Sequence, residues 1–411
     1  MNDISILNVK LHEETIGTIT LLDGDRSIFA FMQDYIENQN RNTLSLSFKD
    51  EFGQLRDDQP STSAVLRPFF SNLLPEGELR RYLAEQAGVK QVRELYLLWA
   101  LGRDLPGAIT VEPYDGEAWP KANSDETIEE TQSRKQKALK FSLAGVQLKF
   151  SALKNEGKNS GLTIPVSGAG GSWIAKLPAA NFEAVPENEF SFMNIAKQIG
   201  INVPEIDLIN LSDIQNLPKD MGLLRGNKAF IIKRFDRSEH GKIHIEDFAQ
   251  VFDVYPRKKY EKASYRNIAT VLGIETSQQD VSEFIRRLVF STLIGNADMH
   301  LKNWSLIYYD KKNAALSPAY DLLSTICFTQ DSTAALKYVR TKKMAELNLN
   351  ELSYLADKAM LPEKLVLDCA KKTVSDFMEV WAKEKTNLFL SKENIETVDA
   401  HIKTLAILND G

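Results

Sequence analysis

The most informative segment of this 411-residue chain is GNADMHLKN, residues 295–303. It follows a stretch with helical periodicity and places Asp298 five positions before Asn303. A predicted hairpin comes next, and a second carboxylate, Asp321, follows it in the segment SPAYD. Phosphoryl transfer uses one carboxylate that accepts the hydroxyl proton of the acceptor, and an amide oxygen and a carboxylate that hold magnesium. The spacing therefore predicts a phosphotransferase site.

In protein kinases the catalytic aspartate also precedes the metal-binding asparagine by five positions. We accordingly predict Asp298 as the general base, and Asn303 and Asp321 as magnesium ligands. An Asp-x-x-x-x-Asn pair alone is more often a loop or capping pair, but the hairpin and the second aspartate favour the kinase interpretation. No second histidine lies near His300, so this residue is expected to pack under the loop rather than to bind a metal.

Upstream of this segment, two stretches have the composition of a phosphate-binding loop. The stretch Phe141–Lys149 carries small residues that let backbone N–H groups approach a phosphate, although it holds one glycine only. The stretch Ser167–Ser172 is richer in glycine and is interpreted as a flexible turn.

Lys176 ends an apolar segment, Trp173–Leu177, from which a lysine can reach nucleotide phosphates. The commoner alternative is a lysine at a strand edge in solvent. Glu189, on the following predicted helix, is the candidate partner of Lys176, and Glu187 competes for that role. The stretch Ile231–Arg237 ends the last strand of this region, and its backbone is placed where a hinge would meet adenine. Alternatively, it is a buried strand that leads into a basic turn.

Hydrophobic periodicity divides the chain into consecutive regions. Alternating residues predict strands in the first region, including one at Leu44–Phe48, and helical spacing then follows. The region 114–140 is polar and is interpreted as a linker or an exposed excursion. The predicted domains are an α/β unit at 1–113, the linker at 114–140, a strand-rich lobe at 141–237 and a helical lobe at 238–411.

Composition excludes several classes of protein. The net charge of −6 and the pI near 5.6 argue against a dedicated nucleic-acid binder. The two cysteines, Cys327 and Cys369, and the five histidines lack the spacing of a structural zinc site. Few cysteines and no recognisable secretory leader predict the reducing cytoplasm. The longest apolar run, Leu95–Leu101, is too short to span a membrane, so no membrane association is expected.

Taken in order, the motifs of this chain resemble those of the HipA family of serine/threonine kinase toxins. The matching stretches are FFSNLLPEG (69–77), LGRD (101–104), GA (107–108), SLAGVQLK (142–149), NEF (188–190), KRFDR (233–237), NADMHLKN (296–303) and SPAYD (317–321). The resemblance implies an α+β, two-lobed protein-kinase-like fold. Its parts would be an N-terminal α/β accessory subdomain, a strand-rich N-lobe with the ATP-binding loop and an all-helical C-lobe with the catalytic and metal-binding loops.

The resemblance also implies roles for particular residues. The residues expected to bind ATP phosphates are Ala144, Gly145, Val146, Gln147, Leu148, Lys149 and Lys176. The residues expected at the rest of the nucleotide are Lys233, Arg234, Phe235, His300, Leu301, Lys302, Asn303, Tyr320 and Asp321. Ser142 matches the serine that members of the family autophosphorylate, and its phosphate would add a charge of about −1.5 to −2 beside the nucleotide phosphates.

The implied function is an ATP- and magnesium-dependent protein serine/threonine kinase that acts as the toxin of a toxin–antitoxin module. The implied partners are a helix-turn-helix antitoxin, operator DNA reached mainly through that antitoxin, and a protein substrate in translation, such as an aminoacyl-tRNA synthetase. Two other hypotheses fit the residues: a kinase-like small-molecule phosphotransferase, and a catalytically silent co-repressor subunit.

Overall fold

The computed structural model describes residues 6–88, 90–114, 149–154, 162–164, 170–217, 223–329 and 331–409. The strands are β1 (Ile6–Leu11), β2 (Glu14–Leu22), β3 (Arg26–Phe31), β4 (Ile109–Pro113), β5 (Lys149–Lys154), β6 (Leu162–Thr163), β7 (Trp173–Lys176), β8 (Ile206–Asn210), β9 (Ile214–Gln215), β10 (Lys228–Lys233), β11 (Arg237–Ser238), β12 (Gly241–Lys242), β13 (His244–Asp247), β14 (Ser305–Tyr308) and β15 (Ala315–Leu316). The α-helices are α1 (Gln33–Glu37), α2 (Pro68–Ser71), α3 (Gly77–Ala87), α4 (Glu94–Leu101), α5 (Val185–Gln198), α6 (Phe248–Val251), α7 (Tyr265–Glu275), α8 (Gln278–Leu293), α9 (Leu349–Ala359), α10 (Glu363–Glu384) and α11 (Lys392–Ile402).

The N-terminal unit is built on an antiparallel sheet of order β3-β2-β1-β4. Alternation of buried and half-buried residues along β1 explains its strand, because successive side chains point to opposite faces. The strand predicted at Leu44–Phe48 is wrong, since Leu46–Phe48 forms a 3-10 turn. The Ser45 side chain caps that turn, and the Leu46 amide donates to the distant carboxylate of Glu246 at 3.0 Å. Leu46 and Glu246 are 200 positions apart, so the hydrophobic periodicity around Leu46 could not indicate this contact.

The second sheet, of order β8-β10-β7-β5-β6-β9, connects the N-terminal unit to the rest of the molecule. Strand β10 makes this connection, because alternate residues along a strand point to opposite faces and here pack in two different hydrophobic cores. Phe230 and Ile232 pack in the core of the helical lobe and α5, whereas Ala229 and Ile231 pack in the core of the N-terminal unit. The N-terminal unit therefore forms one continuous hydrophobic core with one face of this sheet.

The expectation of an all-helical C-lobe is wrong, because the helical lobe contains a three-stranded antiparallel sheet, β13-β14-β15, besides helices α6 to α11. The predicted hairpin is present as β14 and β15. The sequence analysis did not predict β13, whose residues HIED are mostly polar. Its partner β14 is buried along its whole length, and pairing with it over four residues makes β13 a strand.

A buried network of charges joins the N-terminal unit to the end of β10. The Arg234 guanidinium pairs with both carboxylate oxygens of Asp236 at 2.9 Å and with Asp104 at 3.0 Å. Arg237 pairs with the same two aspartates, and the Gly107 amide donates to Asp236 at 2.9 Å. The motifs LGRD and KRFDR thus meet across the two units.

We expect Arg234→Ala to lower the free energy of unfolding by about 3–5 kcal/mol, because it leaves buried carboxylates with fewer partners. Urea unfolding followed by circular dichroism measures the change. Arg103→Ala is the matched control, since Arg103 precedes Asp104 in the motif LGRD and is exposed. Equal midpoints for Arg234→Ala and Arg103→Ala would contradict a structural role for the network.

Candidate active site

A cavity of about 1160 Å³ lies where the N-terminal unit, the second sheet and the helical lobe meet. It brings together many of the residues that the sequence analysis selected. The selected residues that line it are Lys149, Lys176, Lys233, Arg234, Phe235, Asp298, His300, Lys302, Asn303, Tyr320 and Asp321. Apolar side chains of Ile174, Val185 and Ile232 line part of the same wall.

The loop that follows α8 holds Asp298 at the cavity. Ser277 caps α8 at its N-terminus, and Gly295, at a φ of +67°, turns the chain after its last residue. The Asn296 side chain then accepts from the Asp298 amide at 3.1 Å and donates to the Asp321 carbonyl at 3.0 Å. The Asn296 side chain therefore connects the segment that carries Asp298 with the segment that carries Asp321.

Asp298 and Asn303 are in direct contact. The Asn303 Nδ2 donates to the Asp298 backbone carbonyl at 2.7 Å, which fixes the orientation of the amide. The Asp298 carboxylate accepts from the hydroxyl of Tyr260 at 2.6 Å. Burial raises the pKa of Asp298, so the carboxylate is a better proton acceptor than an exposed aspartate.

His300 lies under the loop, as the sequence analysis expected. Its ring packs edge-on against Tyr260, with the ring centroids 5.0 Å apart. Burial lowers the pKa of His300 to about 3, so the imidazole is neutral near pH 7.

Lys176 is buried at the end of β7, not exposed at a strand edge. Its ammonium contacts Asp321 and lies 2.5 Å from the Glu189 carboxylate, which settles the choice between Glu189 and Glu187. Burial raises the pKa of Asp321, but the charges of Lys176 and Lys149 outweigh it and lower that pKa to about 2. Asp321 is therefore an anion at any physiological pH.

The remaining residues predicted at the site lie around Lys176 and Asp321. Lys149 is paired in register with Lys176 on the neighbouring strand, and burial lowers its pKa to about 8. The Phe235 ring packs against Tyr320 at 5.8 Å between centroids. The Tyr320 hydroxyl donates to the Lys302 carbonyl at 2.9 Å, and the exposed Lys233 side chain lies 3.5 Å from Glu205.

One expectation needs correction, and a second needs a closer description. Leu301 is fully buried in the core of the helical lobe and does not line the cavity, because the 3-10 turn Leu301–Asn303 points it away. Arg234 lines the cavity, but its guanidinium is bound by Asp104 and Asp236, so only its backbone is left for the predicted contact with a nucleotide. Ser142 and the loop residues Ala144, Gly145, Val146, Gln147 and Leu148 lie outside the described residues.

Glu76, Lys259 and Tyr260 are among the cavity residues that the sequence patterns do not predict. Glu76 could have been found, because it belongs to the stretch FFSNLLPEG, which matches the family. Lys259 and Tyr260 carried no signal, since they fall in a polar, lysine-rich turn between helices.

The comparison with protein-family models covers nearly all of the chain. Residues 141–381 match the HipA-like C-terminal domain, and residues 7–112 match the HipA N-terminal domain. The chain belongs to the HipA family. The predicted family and its kinase-like α+β fold are thereby confirmed.

Relatives of this HipA-family chain carry kinase names. “Putative kinase Y4dM” of Sinorhizobium fredii is 55% identical over 411 residues, which cover 100% of this chain and 99% of the relative. The “Serine/threonine-protein kinase toxin HipA” of Shewanella oneidensis is 27% identical over 304 residues, or 65% of each chain. The family and these relatives make this a kinase-like protein associated with toxin–antitoxin systems.

A solved structure has the same overall fold. It is that of Shewanella oneidensis HipA in complex with HipB and operator DNA, and it matches with a TM-score of 0.71 at 22% identity. The match covers 97% of this HipA-family chain and 95% of the other. Among the residues described for this chain, no helix combines the length and the apolar character needed to cross a bilayer.

Proposed function

We propose that this chain is an ATP- and magnesium-dependent protein serine/threonine kinase. The observation that carries the proposal is the convergence of Asp298, Asn303, Asp321 and Lys176 on one cavity, with Lys176 held by Glu189. A lysine–glutamate ion pair and a metal-binding aspartate that are both in place are the features that a protein kinase needs for phosphoryl transfer.

The residues of the cavity fit a magnesium ion by their chemistry. Magnesium prefers oxygen ligands. Asp321 offers an ionised carboxylate, and Asn303 offers its amide oxygen, because the amide nitrogen is already bound to the Asp298 carbonyl. When bound there, magnesium neutralises the charge of the nucleotide phosphates.

Each of the other residues has a role in the proposed reaction. The ammonium groups of Lys176 and Lys149 attract the phosphates, and the apolar wall of Ile174, Ile232 and Phe235 receives the adenine. Asp298 binds the acceptor hydroxyl and takes its proton as the oxygen attacks the terminal phosphorus of ATP. The bond between that phosphorus and the bridging oxygen of the β-phosphate breaks, and ADP leaves. The acceptor hydroxyl replaces the Tyr260 hydroxyl, which now occupies the Asp298 carboxylate.

We further propose that Ser142 is autophosphorylated, and that the chain acts as the toxin of a toxin–antitoxin module. Its partners are then a helix-turn-helix antitoxin and operator DNA reached mainly through that antitoxin. Its substrate is a protein of translation, such as an aminoacyl-tRNA synthetase. The similarity to a HipA that was solved with HipB and operator DNA supports the partners, and the net charge of −6 agrees with indirect DNA contact.

Autophosphorylation is tested by intact mass before and after incubation with ATP and magnesium, starting from dephosphorylated protein. We expect a gain of one phosphate that maps to Ser142 and is absent from Ser142→Ala. The control is Ser353→Ala, which changes a half-buried serine in the helical lobe. Nucleotide binding without phosphate gain would contradict the proposal and favour the co-repressor hypothesis. Transfer to metabolites alone would favour the small-molecule phosphotransferase.

A further inference from the structure

The stretch FFSNLLPEG lies in the N-terminal unit, and the proposed kinase mechanism assigns it no role. The structure nevertheless places three of its residues, Asn72, Leu73 and Glu76, in the wall of the cavity. Glu76 comes immediately before α3, where Gly77 takes a φ of +55° that favours glycine. This turn directs the Glu76 carboxylate toward the helical lobe.

Glu76 binds two lysines of the helical lobe at once. Its Oε1 lies 3.1 Å from the Nζ of Lys302, and its Oε2 lies 3.0 Å from the Nζ of Lys259. The side chains of both lysines are less than one-tenth exposed. Burial raises the pKa of Glu76, but the two ammonium groups outweigh it and lower that pKa to about 2. The carboxylate is therefore the shared counter-ion of two buried cations.

Lys302 belongs to the loop that carries the proposed base and metal ligand, since Asn303 is the next residue. Its ammonium also donates to the Asn72 carbonyl at 2.9 Å, and its own carbonyl accepts from Tyr320. The next carboxylate, that of Asp247, lies 4.0 Å away. Without the charge of Glu76, two buried ammonium groups would repel each other, and Lys302 would have to shift and carry Asn303 with it.

We propose that Glu76 is a positioning residue, through which the N-terminal unit holds the loop 298–303 in its reactive geometry. The inference rests on the proposed kinase function for its kinetic consequence. Small displacements of reacting groups cost a large part of the rate, and about 100-fold follows from a shift of about 1 Å. The nucleotide contacts of Lys176 and Lys149 do not involve Glu76, so nucleotide affinity depends on it much less.

The kinetic test compares Glu76→Gln with the wild-type chain. We expect the rate of phosphate incorporation at saturating ATP to fall by about 10-fold to 100-fold. The ATP concentration for half-maximal rate should stay within about threefold, because the proposed phosphate contacts of Lys176 and Lys149 do not involve Glu76. The rate is expressed per folded molecule, because unfolding of part of the sample would also lower the rate without changing that concentration. Glu51→Gln, an exposed carboxylate of the same unit, is the control. Glu76→Asp keeps the charge with a shorter reach, and we expect it to recover part of the rate.

Hydrogen exchange tests the positioning role of Glu76 independently of the proposed kinase function, because the measurement requires no phosphate transfer. We expect faster exchange in residues 298–303 of Glu76→Gln than in the wild type, with exchange of the N-terminal sheet unchanged. If the wild-type chain transfers no phosphate but the loop exchange still rises, the kinase proposal fails and the positioning role stands. Unchanged loop exchange, or an unchanged rate in an active kinase, overturns the positioning role. If Glu76→Gln does not fold, the transfer rate and the loop exchange are measured on Glu76→Asp instead. Wild-type values of both quantities then overturn the positioning role.

Discussion

Replacement of Asp298 by asparagine should reduce phosphate transfer by a factor of about 10² to 10⁴. Asparagine has the shape of aspartate but cannot accept the hydroxyl proton of the acceptor. The Asp298 backbone carbonyl, which orients Asn303, is unchanged by the substitution. The affinity for ATP and magnesium should therefore stay near the wild-type value, because the side chain of Asp298 has no proposed contact with the nucleotide.

Radiolabelled ATP measures the transfer, and calorimetric titration of nucleotide measures the affinity. Asp368→Asn is the matched control, since Asp368 is an exposed aspartate on α10 that pairs with Lys364. Transfer by Asp298→Asn at the rate of Asp368→Asn would remove Asp298 from the role of base. A parallel loss of nucleotide affinity would instead indicate that the substitution disturbs the cavity as a whole.

Replacement of Lys176 by methionine should weaken both nucleotide binding and phosphate transfer. The change removes the cation that contacts both Glu189 and Asp321. It also leaves the Glu189 carboxylate buried without its counter-ion, and breaking such a pair costs about 3–5 kcal/mol of stability. Two separate losses are thus expected: a lower melting temperature, and a nucleotide affinity reduced by about 10-fold or more, since a charge-assisted hydrogen bond contributes about 1.5–3 kcal/mol.

The double variant Lys176→Met with Glu189→Leu distinguishes the loss of stability from the loss of nucleotide affinity. Removal of both charges takes away the unpaired buried carboxylate, so we expect stability to recover at least in part while nucleotide binding stays weak. Lys364→Met, an exposed lysine on α10, serves as the control for the loss of a positive charge. Undiminished ATP binding in Lys176→Met would exclude Lys176 from the phosphate site.

The contrast between Lys176 and Arg234 shows how far sequence reasoning could reach into the site. Both are basic residues at the end of an apolar strand, and the sequence analysis placed both at the nucleotide. The structure places Lys176 between Glu189 and Asp321 in the cavity, and it places the Arg234 guanidinium between Asp104 and Asp236. Strand periodicity predicts that such a residue exists, but the partner of a charged side chain depends on how distant segments fold together.

The sequence by itself determined the family, the kinase-like α+β class and the loop that carries Asp298 and Asn303. The family and the fold class follow from the resemblance of short motifs, and the loop follows from the spacing of Asp298 and Asn303. Each of these signals lies within a short stretch of the sequence. Only the tertiary structure decided that Glu76 binds Lys259 and Lys302 and that the N-terminal unit shares a core with the second sheet. Such contacts join residues about 180 to 230 positions apart, and the energy of a charge or an apolar face depends on what surrounds it after folding.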